Sequence, residues 1–144
     1  MQRTGDKMVI VMVGLPARGK SFLARKICRY LRWLGHDARV FNVGSYRRER
    51  VGQHQPASFF DPENPSGTEA RQRVALEALE DTLRWLQGDG EVAVYDATNS
   101  THQRRCLLAE RCQRDGVPVL FIESICDDPA IIETHGFDAV WADD

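Results

Sequence analysis

The sequence lacks long apolar runs, and this absence excludes an integral membrane protein of the helical kind. No uninterrupted apolar stretch approaches the roughly 20 residues that a transmembrane helix needs. Residues 1–7 are mostly polar and lack the apolar stretch of a signal peptide. We therefore expect a soluble cytoplasmic protein.

Cysteine is scarce and carries no metal-binding spacing. The four cysteines are Cys28, Cys106, Cys112 and Cys126, and no two of them form a C-x-x-C pair. The histidines are scattered as well, so a structural zinc site is not predicted. In a chain of 144 residues this pattern indicates reduced intracellular thiols.

An excess of charge of either sign is also missing. The formal net charge is −2, so the overall charge gives no reason to expect nucleic acid or an anionic membrane as a partner. Lysine occurs only at Lys7, Lys20 and Lys26, and arginine carries most of the positive charge. The apolar fraction of 42% and the charged fraction of 28% are typical of one soluble globular domain.

Strand and helix patterns alternate along the chain. Apolar runs predict strands over residues 7–13, 38–43, 91–96 and 117–125. Helical spacing and terminal glycines predict helices over residues 20–34, 68–87, 101–114 and 128–133. Residues 44–67 are rich in proline and glycine and predict a long loop, with room for one short helix, of the kind that forms lids and binding loops.

A phosphate-binding motif connects the first strand to the first helix. Residues 14–21 fit G-x-x-x-x-G-K-[ST] in the strand–loop–helix setting that this motif requires. Gly14 and Gly19 let the backbone N–H groups curl around phosphate, and the positive end of the helix favours the anion. Lys20 can bridge the β- and γ-phosphates, and the Ser21 hydroxyl can bind Mg²⁺. The alternative is a glycine-rich turn that binds nothing.

The motif and the alternation together predict the fold. Alternating strands and helices indicate a parallel sheet covered by helices on both faces. Right-handed crossovers place the loops that follow the strands at one edge, where ligands bind. We predict a P-loop NTPase-type three-layer α/β/α fold with a parallel sheet in the order 2-3-1-4.

A carboxylate ends the third strand at this ligand edge. Asp96 can hold Mg²⁺ through water or accept the proton of an attacking hydroxyl, and the sequence leaves both roles open. It can also simply cap the next helix. Thr98 and Asn99 follow in the same loop, where they can bind substrate hydroxyls or cap that helix.

Several arginines also lie at the predicted ligand edge. Arg47 and Arg48 follow the second strand, Arg71 falls in the first turn of the predicted helix after the long loop, and Arg104 and Arg105 follow Asp96. Forked guanidinium groups can clamp a phosphate on a second substrate. Each arginine alone reads as a solvated surface residue, but cations at helix N-termini are unfavourable unless an anion lies nearby.

Four segments, in the same order, resemble the kinase domain of 6-phosphofructo-2-kinase/fructose-2,6-bisphosphatase. They are residues 14–21, 41–49, 93–99 and 121–129, and the resemblance spans about residues 8–133. It implies a kinase that uses ATP and Mg²⁺ to phosphorylate the 2-hydroxyl of fructose 6-phosphate, which gives fructose 2,6-bisphosphate.

The resemblance also implies roles for individual residues. The ATP-binding residues would be Gly14, Leu15, Pro16, Ala17, Arg18, Gly19, Lys20, Ser21 and Phe22. The catalytic residues would be Asp96, Cys126 and Lys20. Fructose 6-phosphate would be bound by Arg47, Arg71, Thr98 and Arg104. The motif chemistry, apart from the resemblance, makes Ser21 and Asp96 the candidate Mg²⁺ ligands, with water as an intermediary where needed. From chemistry alone, the Cys126 thiol is better suited to packing.

The last residues depart from the family pattern. We expect a 6-phosphofructo-2-kinase-like domain over residues 1–133, incomplete at its C-terminal end, and a divergent tail over residues 134–144. We expect no bisphosphatase half, because the sequence has no Arg-His-Gly motif. A non-catalytic ATP-binding fragment or regulatory paralogue without the substrate lid is the main alternative, and another phosphate-loop kinase is a weaker one. An exposed sheet edge can recruit another chain, so a homodimer is a further expectation.

Overall fold

The computed structural model describes residues 6–15, 19–52, 55–61 and 63–125. Within them, strands and helices follow in the order β1 (Met8–Val13), α1 (Lys20–Trp33), β2 (Ala38–Asn42), α2 (Val43–Val51), a 3₁₀ helix (Ala57–Phe60), α3 (Pro65–Gln87), β3 (Val92–Asp96), α4 (His102–Arg114) and β4 (Val119–Glu123). None of these described helices has both the length and the apolar character that crossing a membrane requires. The helix predicted over residues 128–133 lies outside the described residues.

The strands form one parallel sheet in the order β2-β3-β1-β4, which confirms the predicted topology. The pairing register places Asp96, at the end of β3, beside Met12 of β1 on one side and beside Asn42 of β2 on the other. The carboxyl ends of the three strands are therefore level, and the residues that follow them meet at a single edge.

Helices cover both faces of the sheet. Every residue of β3 and all but the first residue of β1 are buried, as expected for central strands of a parallel sheet. One apolar cluster joins the sheet to α3 and α4 through residues such as Leu79, Leu83 and Leu108. A second cluster joins the opposite face to α1 through Ala24 and Cys28. These layers confirm the three-layer α/β/α architecture.

The segment predicted as a long loop contains more helix than expected. Residues 43–51 form α2, because the Asn42 side chain caps this helix by accepting a hydrogen bond from the Ser45 N–H at 2.9 Å. Pro65 opens α3 at a first-turn position, where its missing N–H is no loss, and Asn64 caps that helix. The earlier start moves Arg71 to the second turn of α3, so the helix-dipole argument does not apply to Arg71.

Candidate phosphoryl-transfer site

The phosphate loop, residues 14–21, leaves the end of β1 between the ends of the two neighbouring strands. The Gly14 N–H donates to the Thr98 carbonyl oxygen at 2.9 Å, and the Ser124 N–H donates to the Val13 carbonyl oxygen at 2.8 Å. A Cβ atom on Gly14 would lie 2.9 Å from the Ser124 carbonyl oxygen, which is too close for any side chain. Glycine at this position therefore allows the close approach of three backbone segments.

The other end of the phosphate loop leads through Gly19 into the start of α1, the positive end of the helix dipole. Gly19 caps the helix in the left-handed conformation, with φ 74°, which glycine adopts without strain. The cap has no side-chain hydrogen bond, and the first turn of α1 contains no acidic residue. The positive end of this helix therefore faces the loop without a competing carboxylate of its own first turn. Leu15 and Phe22 are exposed, whereas Pro16, Ala17 and Arg18 lie outside the described residues.

A buried ion pair joins the phosphate loop to the end of β3. Lys20 Nζ lies 2.9 Å from Asp96 Oδ1, and each side chain is only 1% exposed. The two residues are 76 positions apart in the sequence, and the sheet order brings them together. A charge pair shielded from water interacts more strongly than an exposed one, and removing either member leaves a buried charge unpaired.

Asn42 completes this cluster, although sequence reasoning gave it no role. Its Nδ2 donates to Asp96 Oδ2 at 2.9 Å, while its Oδ1 caps α2. Both carboxylate oxygens of Asp96 therefore accept a hydrogen bond, one from Lys20 and one from Asn42. Two signals could have identified Asn42: it is a polar residue near the carboxyl end of the strand predicted over residues 38–43, and the 2-3-1-4 order places that strand next to β3.

Helix α2, which Asn42 caps, is anchored against α3. Burial and the neighbouring Asp81 carboxylate raise the pKa of Tyr46 to about 12, so this phenol remains protonated and can donate to Asp81. Arg50 Nε donates to Glu77 Oε1 at 2.9 Å, and this hydrogen bond lowers the pKa of Glu77. These contacts tie α2, which Asn42 caps, to α3.

A cavity of about 660 Å³ is lined in part by the loop that follows Asp96. The wall is formed by the N-terminal half of α3, by residues 98–101 after β3 and by the first turns of α4. Three of the four residues expected to bind the second substrate, Arg71, Thr98 and Arg104, line it. Thr98 follows Asp96 by two residues, so the arginine-lined cavity adjoins the loop that carries the carboxylate.

The remaining arginines of the predicted ligand edge have other positions. Arg47 is fully buried in α2, and its guanidinium carbon lies 5.2 Å from the centre of the Phe60 ring. The structure does not place it in the cavity wall. Arg48 Nη2 donates to Ser45 Oγ at 3.1 Å, and Arg105 Nη1 donates to the Ser100 carbonyl oxygen at 2.8 Å. Cys126, the other expected catalytic residue, lies outside the described residues.

The donor set at the edge is compatible with Mg²⁺. The Asp96 carboxylate and the Ser21 hydroxyl are hard oxygen ligands of the kind that Mg²⁺ prefers. Among the described residues, no three His, Cys, Asp or Glu side chains form a cluster that could hold a metal. Magnesium at this edge would therefore depend on substrate phosphates for most of its ligands, which is its usual mode of binding in kinases.

Solved structures with low sequence identity share the fold. The Mycobacterium tuberculosis APS kinase CysC, solved in complex with AMPPNP and APS, aligns with a TM-score of 0.67 at 17% identity and covers 90% of this chain and 68% of its own. A chain of the Pnkp1/Rnl/Hen1 complex aligns with a TM-score of 0.66 at 17% identity over 92% of this chain and 40% of its own. At such identities the alignments establish the architecture alone.

Curated relatives are much closer in sequence. The Arabidopsis thaliana 6-phosphofructo-2-kinase/fructose-2,6-bisphosphatase is 51% identical over 89% of this chain and 17% of its own length. The Gallus gallus protein of that name is 47% identical over 93% of this chain and 29% of its own. The Homo sapiens protein 6-phosphofructo-2-kinase/fructose-2,6-bisphosphatase 3 is 44% identical over 92% of this chain and 26% of its own. The chain thus spans less than a third of the length of these relatives.

The sequence model of the family described as 6-phosphofructo-2-kinase matches residues 1–141. This match takes in the phosphate loop, the Lys20–Asp96 pair and the arginine-lined cavity. The chain therefore belongs to the 6-phosphofructo-2-kinase family.

Proposed function

We propose that this chain transfers the γ-phosphoryl group of ATP to the 2-hydroxyl of fructose 6-phosphate, forming fructose 2,6-bisphosphate and ADP. The observation that carries the proposal is the buried Lys20–Asp96 pair, which joins the phosphate loop to the end of β3, and the residues that follow β3 line the arginine-containing cavity. A donor site for a triphosphate thereby adjoins an acceptor site for a second, anionic molecule. The names of the curated relatives support this choice of acceptor.

The phosphate loop would hold the triphosphate of ATP. Its backbone N–H groups and the start of α1 favour the anion. Leu15 within the loop and Phe22 directly after it are exposed, where they can contact the nucleotide. Pro16, Ala17 and Arg18 belong to this proposal through the sequence motif. Lys20, which is bonded to Asp96 in this structure, would turn toward the β- and γ-phosphates when ATP enters.

The carboxylate of Asp96 would orient the acceptor hydroxyl. In the transfer, the 2-oxygen of the sugar forms a bond to the γ-phosphorus, the bond from that phosphorus to the β,γ-bridging oxygen breaks, and ADP leaves. Asp96 would accept the proton of the hydroxyl, since Asn42 fixes one of its oxygens and the departure of Lys20 frees the other. Mg²⁺, held by the phosphates with Asp96 and Ser21 nearby, would offset the negative charge on the phosphoryl oxygens.

The cavity would bind the sugar phosphate. Arg71 and Arg104 offer forked donors for the 6-phosphate, and the Thr98 hydroxyl can bind a sugar hydroxyl near Asp96. Arg47 is fully buried and does not line the cavity, so a direct contact with the acceptor would require this part of the structure to rearrange. The catalytic role of Cys126 remains a proposal that depends on the family resemblance.

The acceptor site is tested by matched arginine substitutions. Arg71→Gln and Arg104→Gln are each expected to raise the KM for fructose 6-phosphate by about tenfold to a hundredfold, because each removes a charge-assisted hydrogen bond. The KM for ATP should change by less than about threefold, which is smaller than the tenfold change that 1.4 kcal/mol of lost binding free energy would cause. Steady-state ADP release, measured against the concentration of each substrate, gives both constants.

Arg73→Gln is the control for this experiment, because Arg73 is exposed on α3 and does not line the cavity. It should leave both constants unchanged. Equal effects of the Arg71 and Arg73 substitutions on the KM for fructose 6-phosphate would contradict the assignment of this cavity to the acceptor.

The positioning role of Asn42 can be separated from its role as a helix cap. Asn42→Ser keeps a capping hydroxyl but removes the amide that donates to Asp96, and we expect the transfer rate at saturating substrates to fall at least about tenfold, the equivalent of one hydrogen bond of ordinary strength. Asn64→Ser makes the same change at the N-cap of α3, and none of the hydrogen bonds described for Asn64 involves Asp96. A comparable loss of rate in both variants would show that Asn42 acts only through helix stability.

A further inference from the structure

The side-chain oxygen of Asn99, Oδ1, is buried and has no part in the proposed phosphoryl transfer. The residue is 2% exposed and lies in the left-handed backbone region, with φ 49°. Its Nδ2 donates to the Met12 carbonyl oxygen at 2.9 Å and more weakly to the Ala97 carbonyl oxygen at 3.5 Å. Its Oδ1 is buried and accepts no hydrogen bond within the described part of the chain.

The orientation of this amide is fixed by its neighbours. The Met12 carbonyl oxygen can only accept a hydrogen bond, so Nδ2 must face Met12 and Oδ1 must face away from it. A buried carbonyl oxygen without a donor is rare in native proteins and costs free energy. An unsatisfied acceptor at this position therefore indicates that a donor arrives from outside the described protein atoms.

The surroundings restrict the chemistry of that donor. Asn99 belongs to the wall of the same 660 Å³ cavity as Arg71, Thr98 and Arg104. A phosphate oxygen cannot satisfy Asn99 Oδ1, because both are acceptors, and a cationic donor would be repelled by Arg71 and Arg104. A neutral hydroxyl group on an otherwise anionic molecule satisfies both the amide oxygen and the arginines.

We propose that Asn99 Oδ1 accepts a hydrogen bond from one of the hydroxyl groups of the acceptor sugar that do not react, namely its 1-, 3- or 4-hydroxyl. This inference rests on the proposed function, and it adds a residue that selects among sugar phosphates. Less than 1 Å² of Oδ1 is open to solvent, so the proposal requires the side chains that cover this atom to shift when the sugar binds. A sugar phosphate without this hydroxyl leaves the acceptor unsatisfied and binds more weakly.

The test measures binding, so that it does not depend on turnover. Fructose 6-phosphate and its 1-deoxy, 3-deoxy and 4-deoxy analogues are titrated calorimetrically into the wild-type chain in the presence of Mg²⁺ and AMPPNP. For one of the analogues we expect Kd to rise about tenfold to a hundredfold, as for the loss of one hydrogen bond to a buried acceptor. If all three analogues bind as well as fructose 6-phosphate, the inference is overturned.

A substitution then assigns the effect to Asn99. Asn99→Gly keeps the left-handed backbone and removes Oδ1, so it should bind fructose 6-phosphate as weakly as wild type binds the sensitive analogue. It should show no further loss with that analogue, whereas its ratios for the other two analogues should match those of wild type. Retention of the wild-type preference in Asn99→Gly would overturn the inference.

A second variant covers the case in which Asn99→Gly does not fold. Asn99→Asp tolerates the left-handed backbone, replaces the neutral acceptor by a carboxylate and also loses the hydrogen bond from Nδ2 to the Met12 carbonyl oxygen. The ratio of the Kd of the sensitive analogue to the Kd of fructose 6-phosphate should change by at least about threefold in this variant, and the ratios of the other two analogues should not change. A threefold change is smaller than the roughly tenfold change expected when a hydrogen bond is lost completely. Identical ratios in this variant and in wild type would count against Asn99.

The proposed function can fail separately from this inference. If labelled ATP yields no labelled sugar while fructose 6-phosphate binds with the expected preference, the acceptor assignment of Asn99 stands and the transfer proposal fails. If fructose 6-phosphate does not bind at all, the proposal for Asn99 fails as well.

Discussion

Lys20→Met is expected to lower the free energy of unfolding by about 3 to 5 kcal/mol, the effect of removing one partner of a buried ion pair. The substitution leaves the Asp96 carboxylate 1% exposed, with the Asn42 amide as its remaining donor among the contacts described for it. Urea unfolding followed by circular dichroism gives the free energy. Lys26→Met on the same helix is the control, because Lys26 is exposed and lies over the Phe22 ring.

The double variant Lys20→Met with Asp96→Asn separates charge pairing from packing. Removing both charges should restore most of the lost stability, since a buried ion pair replaced by neutral groups of similar size is often neutral for stability. Phosphoryl transfer should remain absent in the double variant. Additive losses in the double variant would show that the two side chains do not act on each other.

Asp96→Asn alone is expected to lower the rate of phosphoryl transfer by about two to four orders of magnitude, the range for loss of a general base. Asparagine keeps the size of the side chain and can still accept from Lys20, but it cannot take a proton from the sugar hydroxyl. Rapid-quench measurement of the transfer step gives the rate directly.

ATP affinity in Asp96→Asn distinguishes a proton acceptor from a metal ligand. A base that acts only on the acceptor leaves the Kd of Mg²⁺-ATP within about threefold of wild type, whereas loss of a ligand bound to the metal, directly or through water, weakens it about tenfold or more. Asp89→Asn is the control, because Asp89 is exposed and precedes the N-terminus of β3, whereas Asp96 ends that strand. A transfer rate near the wild-type value would remove Asp96 from the mechanism.

The fold was accessible from the sequence because its signals are local. The apolar run of β1, the glycine-rich loop and the apolar spacing of the following helix lie next to one another in the sequence. The right-handedness of crossover connections then places the loops that follow the strands at one edge of the sheet. The predicted loop over residues 44–67 and the predicted helix start at residue 68 were wrong, because α2 begins at residue 43 and α3 at residue 65, where the side chains of Asn42 and Asn64 cap them. Tertiary packing of α2 against α3 then stabilises a helix with little periodic apolar pattern.

The site was only partly accessible. The sequence pointed to Lys20 and Asp96 as chemistry-bearing residues, but the contact from Asn42 to Asp96 depends on the alignment of β2 with β3. Arg47 contacts Phe60 of the 3₁₀ helix, which lies in the segment predicted as loop, so this contact could not be predicted. The unsatisfied Oδ1 of Asn99 has no sequence signal at all, because it follows from the position of one backbone carbonyl, that of Met12.

A single-turnover experiment with γ-labelled ATP tests the central claim most directly. Excess protein is mixed with labelled Mg²⁺-ATP and fructose 6-phosphate, and the labelled products are separated at successive times. We predict a labelled sugar bisphosphate that carries the new phosphate on the 2-oxygen, formed by wild type and not by the Lys20→Met, Asp96→Asn double variant. Label that stays in ATP, passes only to water, or reaches the sugar equally well in the double variant would contradict a transfer site built on Lys20 and Asp96.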